Sequence, residues 1–369
     1  MTAYIIRRLL FVIPTLFVIL LANFIFIQFA PGGPVEQAIA RIQGTAVDAT
    51  ARISGGGGEQ APGAIRQESG RGQANSQYRG ARGLDPKLIQ ELEQQFGFDK
   101  PAHERFFLMV RNYLKFDFGQ SFYQNRSVVD LILEKMPVSI SIGVWTTLLV
   151  YVISIPLGVM KAVRDGSAFD VWTSVIVIIG NAIPSFLFAV LLVVLFAGGS
   201  FFNVFPLRGL VSPDWNDLNW FMKIADYLWH MVLPITAMVI GGFASLTILT
   251  KNSFLEEINK QYVLTARSKG LEEKRILYGH IFRNAMLIVI AGFPSAFIGI
   301  LFGSSLLIEL IFSLDGLGLL GFEAVVNRDY PVVFATLYVF TLLGLLMGIL
   351  GDVMYHVVDP RIDFEARKV

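Results

Sequence analysis

Cysteine is absent from this 369-residue chain. That single absence removes disulfides, thiolate zinc sites, iron–sulfur clusters and thiol nucleophiles together. Histidine is scarce as well, and His103, His230, His280 and His356 are too scattered to compose a metal-ligand set. No Gly-x-x-x-x-Gly-Lys-Ser/Thr occurs, so the chain has no P-loop with which to hydrolyse ATP. Net charge is nearly nil, with 30 Lys plus Arg against 29 Asp plus Glu, which leaves no overall field to hold a polyanion and excludes nucleic acid as a partner. Charge of either sign is sparse, at 16% of residues, whereas 54% are apolar or aromatic and mean hydropathy is +0.58. One soluble core could not hide that surplus, so the composition excludes a soluble enzyme and reads as a membrane protein.

A bilayer core about 30 Å thick needs about 20 apolar residues per helix. Six stretches qualify: 9–30, 138–163, 171–198, 228–250, 285–312 and 333–357. The first follows Arg7 and Arg8, yet its run is longer than that of a signal peptide and no small-x-small cleavage site follows, which predicts an uncleaved anchor. With the N-terminus inside, the inner segments carry Arg7, Arg8, Lys161, Arg164, a cluster from Lys251 to Arg283, and then Arg361, Arg367 and Lys368. The short outer loops carry only Arg208, Lys223 and Arg328. The positive-inside rule therefore predicts two cytoplasmic termini.

The organisation expected is an N-terminal transmembrane helix (1–30), an outer insert (31–137) and a five-helix core (138–369). Within the insert, 44–83 is built from Gly, Ala, Gln, Ser and Arg and reads as flexible linker. The 84–136 part reads as helical. Leu88, Leu92 and Phe96 recur every fourth residue after Asp85-Pro86, a second amphipathic stretch carries Phe106, Phe107, Val110 and Leu114, and Ser127-x-x-Asp130 caps a third helix. Such a domain would pack on the outer span ends. Docking a partner, sealing a mouth and merely stabilising the spans all remain open for it.

Gly316-x-Gly318-x-x-Gly321 matches a dinucleotide fingerprint, but it follows an apolar span with no βαβ unit around it and reads as a turn between helices. The spans are almost free of carboxylates. Glu309 and Asp352 are the exceptions, and both lie near span ends, where a structural role is at least as plausible as a proton relay. Pro184 and Pro294 fall well inside spans and predict kinks, with a gating bend as the alternative.

The inner loop, 251–284, is the most informative segment. Ser253-x-x-Glu256 has the form of a capping box, Phe254, Ile258, Tyr262 and Ala266 recur at four-residue spacing, and Gly270 stands where a left-handed C-terminal cap belongs. The pattern reads as helix, glycine break, helix. Small Ala266 and bare Gly270 would let another protein approach closely, with Arg267, Lys269 and Arg283 available to its carboxylates. Spacing alone leaves that reading level with an ordinary solvated basic loop.

The residues of this loop resemble a family. Tyr262-Val-x-Thr265-Ala266-Arg267-x-Lys269-Gly270, followed by His280-x-x-Arg283-Asn284-Ala285, is similar to the EAA loop of permease subunits in peptide and nickel class ABC importers. Supporting stretches run through nearly the whole chain: Arg7-Arg8, Ala30-Pro31-Gly32-Gly33-Pro34, Phe116-Asp117-Phe118-Gly119-Gln120-Ser121, Gly316-Leu317-Gly318, Arg328-Asp329-Tyr330-Pro331 and Asp359-Pro360-Arg361. The large first loop resembles the B-type subunit, and the Gly-rich insertion most resembles the Yej-type oligopeptide permeases, which also admit microcin C. Gln261 and Ile288 depart from the acidic residue and the proline that many relatives carry there.

The resemblance implies an all-α polytopic membrane protein with the six-helix type I ABC importer permease fold and a helical periplasmic insert between helices 1 and 2. It implies an inner-membrane subunit that is not itself an enzyme and forms half of a pathway for peptides. It also implies a second permease, two ATPase subunits or domains, and a periplasmic solute-binding protein. ATP and Mg would be bound by the ATPases, with no cofactor in this chain. The residues so implied for coupling are Glu256, Tyr262, Thr265, Ala266, Arg267, Lys269, Gly270, His280, Arg283 and Asn284. An ion-coupled carrier and a membrane scaffold are the rival classes, separated by the energy source for uptake and by transport in vesicles.

Overall fold

The computed structural model describes residues 2–29, 100–198, 201–302 and 306–358. The proposed linker at 44–83, the first helix of the insert with Leu88, Leu92 and Phe96, the stretch from Pro31 to Pro34, and Asp359-Pro360-Arg361 all lie outside these residues.

Among the described residues the assigned elements are helical, apart from one bridge between Gln120 and Ser127. In chain order they are α1 (Thr2–Phe29), α2 (Ala102–Tyr113), α3 (Val128–Val163), α4 (Ala168–Ala182), α5 (Ser185–Phe196), α6 (Trp220–Ile258), α7 (Gln261–Ser268), α8 (Glu273–Ile276), α9 (Phe282–Phe302), α10 (Leu306–Ile311), α11 (Leu317–Val326) and α12 (Tyr330–Val358). A π turn, Leu277–Ile281, joins α8 to α9. Five helices are long and apolar enough to cross a membrane, and a sixth span results if α4 and α5 count as one.

The α4–α5 pair is bent by 92°. Pro184 causes the break: it has no N–H to continue α4, and it forces Ile183 into an extended conformation (φ −89°, ψ 116°). A kink at Pro184 is thus borne out. The expected fifth span, 285–312, contains α9 and α10, and residues 303–305 between them lie outside the described residues. Ser253 corrects an expectation. It does not cap a helix but lies inside α6, and its hydroxyl donates to the Ala285 carbonyl at 2.6 Å. The helix break falls instead at Asn259 and Lys260.

Two compact units divide the chain: Met1–Val12 with Lys135–Leu319 and Phe340–Val369, and Ile13–Glu134 with Leu320–Val339. In the second, Phe106 of α2 packs edge-on against Phe17 and Phe24 of α1, and Phe118 and Tyr113 pack against Tyr338 of α12. Phe107 and Leu114, expected on the buried face of α2, are exposed, and Tyr113 takes the buried position. The unit is closed by Asp329, 3% exposed, which accepts from the hydroxyl of Ser121 and from the backbone N–H groups of Phe122 (3.0 Å) and Tyr123 (3.2 Å). The Phe-Asp-Phe-Gly-Gln-Ser and Arg-Asp-Tyr-Pro stretches, some 200 residues apart in sequence, are therefore one structural joint.

The first unit contains two apolar cores. One gathers Ile142, Ala189, Met231, Ala237, Ile308 and Phe312, and the other gathers Val159, Phe254, Val263, Ile276, Ala285 and Val289. Both carboxylates that looked anomalous in the sequence have partners here. Glu309 is fully buried, accepts from Ser139 Oγ at 3.1 Å and from the Leu319 N–H at 2.7 Å, and so caps α11 from outside its own helix. A Cβ on Gly316 would stand 2.5 Å from the Glu309 Cδ, which explains glycine there. The helix start that a dinucleotide phosphate would use is filled by this side chain. Asp352 pairs with Arg8 and accepts from Tyr4 Oη at 3.1 Å, tying α1 to α12 within this unit.

Four charged residues secure the junction of α3, α4 and α6. Lys161, 1% exposed, sits 2.8 Å from Asp170 Oδ1 and donates to the Thr173 and Ser174 hydroxyls at 2.9 and 2.7 Å. Lys251 lies 2.8 Å from Asp170 Oδ2 and 2.8 Å from Asp165. Two cations and two anions balance, which is the condition under which charge tolerates burial.

Candidate functional site

The 251–284 segment folds as the end of α6, the short α7, a glycine turn, α8 and the π turn that opens α9. α7 ends in a Schellman arrangement: the Leu271 N–H donates to the Ala266 carbonyl at 3.3 Å and the Gly270 N–H to the Arg267 carbonyl at 2.9 Å. Gly270 has φ +77°, a conformation that a side chain disfavours, and a Cβ there would meet nothing within 4 Å. The expected helix, glycine break, helix is present. The outer face of the turn is open.

Ala266 has a different task from the one its size implied. It is 8% exposed and belongs to the apolar core with Val263, Phe254, Ile276 and Ala285, so its smallness lets α7 lie close on this chain rather than on a partner. Arg267 is likewise committed internally. It donates from Nε to Glu273 Oε1 at 2.7 Å and from Nη2 to Glu273 Oε2 at 3.1 Å, a bidentate clamp across the glycine turn.

The residue that organises the segment is Glu257, which the sequence reading passed over for its neighbour Glu256. Glu257 is 9% exposed at the end of α6; it accepts from Tyr262 Oη at 2.7 Å, pairs with Lys260 and bonds Asn284. Burial, and then the hydrogen bond to this carboxylate, pushes the Tyr262 phenol above its ordinary value, so it stays a donor. The bond to Glu257 likewise raises the Lys260 ammonium. Three pieces of backbone, α6, α7 and α9, thus converge on one carboxylate. The Glu257-x-x-Lys260 spacing was the available sign. It was obscured because Glu256 has the same pattern with Lys260 at i+4, yet Glu256 is exposed, with Lys260 Nζ 3.6 Å away.

Of the other residues named from the sequence, Thr265 is exposed and returns its hydroxyl to the Gln261 carbonyl at 3.0 Å. Lys269, His280 and Arg283 are exposed along the same segment. Two apolar side chains join this surface, Leu264 and Tyr278, 55% and 64% exposed. They were missed because neither fits a charged or glycine pattern. The whole is a helical knob with a polar and apolar outer surface, and among the described residues no group of His, Asp and Glu could hold a metal.

Removing the Glu257 carboxylate with Glu257→Ala should leave the part-buried Tyr262 hydroxyl, Lys260 and Asn284 together without their shared anionic acceptor, at a cost of about 1–3 kcal/mol. Amide hydrogen exchange over 257–271 is expected to quicken by at least tenfold while that of α12 stays as it was. Equal protection in both proteins would mean that the apolar core alone holds α7.

Comparison with known proteins places this geometry. Residues 154–364, which include the entire knob, match the family described as binding-protein-dependent transport system inner membrane component. The peptidoglycan transport system permease protein YejB of Agrobacterium fabrum is 61% identical over 369 residues, covering all of both chains. The inner membrane ABC transporter permease protein YejB of Escherichia coli O157:H7 is 59% identical over 368 residues, again covering 100% of each. The oligopeptide transport system permease protein AppB of Bacillus subtilis is 30% identical, covering 99% of this chain and 100% of that one. With the family matched over more than half of its length and relatives 30% to 61% identical over nearly all of it, the chain belongs to the binding-protein-dependent ABC importer permeases of the inner membrane.

Proposed function

We propose that this chain forms half of a translocation pathway for peptides and that the Tyr262–Gly270 knob couples it to ATPase partners. The observation that carries the reading is the convergence of α6, α7 and α9 on Glu257. A push on the exposed side of α7 moves two span-forming helices together, because Glu257, the Arg267–Glu273 clamp and the shared apolar core leave no soft joint between them. Leu264, Tyr278, Lys269, His280 and Arg283 form the surface that an ATPase cleft would hold.

A second permease completes the pathway, two ATPase subunits or domains bind ATP and Mg, and a periplasmic protein delivers the substrate. This chain contributes no cofactor. Both termini and the knob face the cytoplasm, as the distribution of Lys and Arg supports. Residues 31–137 form the periplasmic insert, linker at 44–83 and helical at 84–136, with 138–369 as the permease core. Peptide is the substrate class favoured by the relatives, whose names specify peptidoglycan and oligopeptide transport. Microcin C-like peptide-nucleotides fall in the same class.

The test is uptake of a labelled oligopeptide into vesicles that contain the complete importer and its binding protein. Uptake is expected to require ATP and to persist when ion gradients are collapsed. Uptake that follows a proton or sodium gradient without ATP would replace this reading with an ion-coupled carrier.

A further inference from the structure

Within the first unit, α3, α6 and α9 enclose a cleft of about 400 Å³. That size falls in the range of ligand sites, about 300–1,000 Å³. Its wall carries no charged residue. The polar groups are the hydroxyls of Thr147, Tyr151 and Ser245, and glycines Gly242, Gly292 and Gly299 bring backbone to the surface. A Cβ at Gly292 or Gly299 would meet nothing within 4 Å, so the space in front of these positions belongs to the cleft.

Thr147 is the anomaly. It is 2% exposed, and its Oγ1 has no hydrogen-bond partner. On α6 the buried Thr247 and Thr250 each return the hydroxyl to the carbonyl four residues back, at 2.7 Å, which is the ordinary way to bury a threonine in a helix. A buried hydroxyl without a partner costs stability, and valine would fill the same volume without that cost. Threonine at the wall of a large uncharged cleft therefore has a use that packing does not supply.

We infer that this cleft is a subsite for the main chain of the transported peptide, with Thr147 as its polar anchor. The inference rests on the peptide reading above. A hydroxyl both donates and accepts, so it serves an amide N–H or a carbonyl equally after a χ1 step that exchanges it with its methyl. The absence of charge in the wall means that peptides are not sorted there by side-chain charge, and close backbone at the glycines leaves room for residues of different size. A lipid tail would fill the cleft yet leave the Thr147 hydroxyl without a partner.

The chain has no cysteine, so Ser245→Cys introduces its sole thiol. In the complete importer, with binding protein and ATP, tetra-alanine is expected to slow maleimide labelling of that position about fivefold. Adding Thr147→Val should reduce the protection to less than twofold, the loss expected for one neutral hydrogen bond, and Thr147→Ser should restore it. The Val variant should unfold at an equal or higher temperature, which a structural hydroxyl would not allow. Labelling that tetra-alanine leaves unchanged, in an importer that transports tetra-alanine, overturns the subsite alone. Protection by short-chain phosphatidylcholine and not by the peptide would assign the cleft to lipid and also overturn it. An importer that takes up no tetra-alanine with ATP overturns the peptide reading, and the subsite with it.

Discussion

Changing Gly270 to aspartate is expected to leave the permease folded in the membrane and to cut peptide uptake at least tenfold. The backbone at Gly270 has φ +77°, where an ordinary residue pays roughly 1–2 kcal/mol and aspartate less than most. Nothing in the chain lies within 4 Å of the added Cβ. The turn itself is held by the Schellman hydrogen bonds and by the Arg267–Glu273 clamp, neither of which involves the new side chain. The damage must then fall on whatever docks against the open face. Two measurements check this: co-purification of the ATPase partners should drop with uptake, and the thermal midpoint of the permease should shift by only a few degrees, the equivalent of about 1 kcal/mol. Normal co-purification and normal uptake together would remove the glycine turn from the coupling surface.

The second large effect is expected from Asp170→Asn. Asp170 faces Lys161 on one oxygen and Lys251 on the other, and Lys161 is almost wholly buried. The amide keeps the shape and removes the charge, so a buried ammonium is left with hydroxyls and a carbonyl but no anion. Breaking one side of a buried pair costs about 3–5 kcal/mol, enough to lower the yield of folded protein severalfold and its thermal midpoint by many degrees. Lys251 retains Asp165 and should contribute little to the loss. The double variant Lys161→Met with Asp170→Leu removes both buried charges, and it should recover most of the midpoint. Single and double variants of equal stability would show that the cluster is solvated rather than locked.

Both effects depend on contacts that differ in how far they reach along the chain, and the same distinction separates what could be read from the sequence. Span positions, the break at Pro184 and the left-handed turn at Gly270 are local. A run of about 20 apolar residues, a ring without an N–H and a residue without a Cβ each impose their geometry on the nearest few residues whatever surrounds them. The missing chemistry was equally legible, since no cysteine and no P-loop can be supplied by folding. The knob as helix, turn, helix was visible for that reason.

Assignments of individual side chains were less visible. Ala266 was read as facing outward because its size suits a partner, yet the packing of α7 on α6 and α9 buries it, while Arg267 does face outward but is paired with Glu273 of this chain. Glu256 and Glu257 are adjacent and chemically alike, and a rotation of about 100° between successive helix residues sends one into solvent and the other to Tyr262, Lys260 and Asn284. Glu309 reaches Ser139 and Leu319, Asp329 reaches Ser121, and Asp352 reaches Arg8, across separations of up to 344 residues, taken as 352 minus 8. No periodicity records such pairs. The sequence by itself determined a membrane permease and the helix, turn, helix pattern of its 251–284 loop, because hydropathy and backbone restrictions are properties of short windows. The tertiary structure alone decided which carboxylate joins the knob to the spans and which threonine is left without a partner beside the cleft, because burial and hydrogen bonding depend on residues that the chain brings together only when folded.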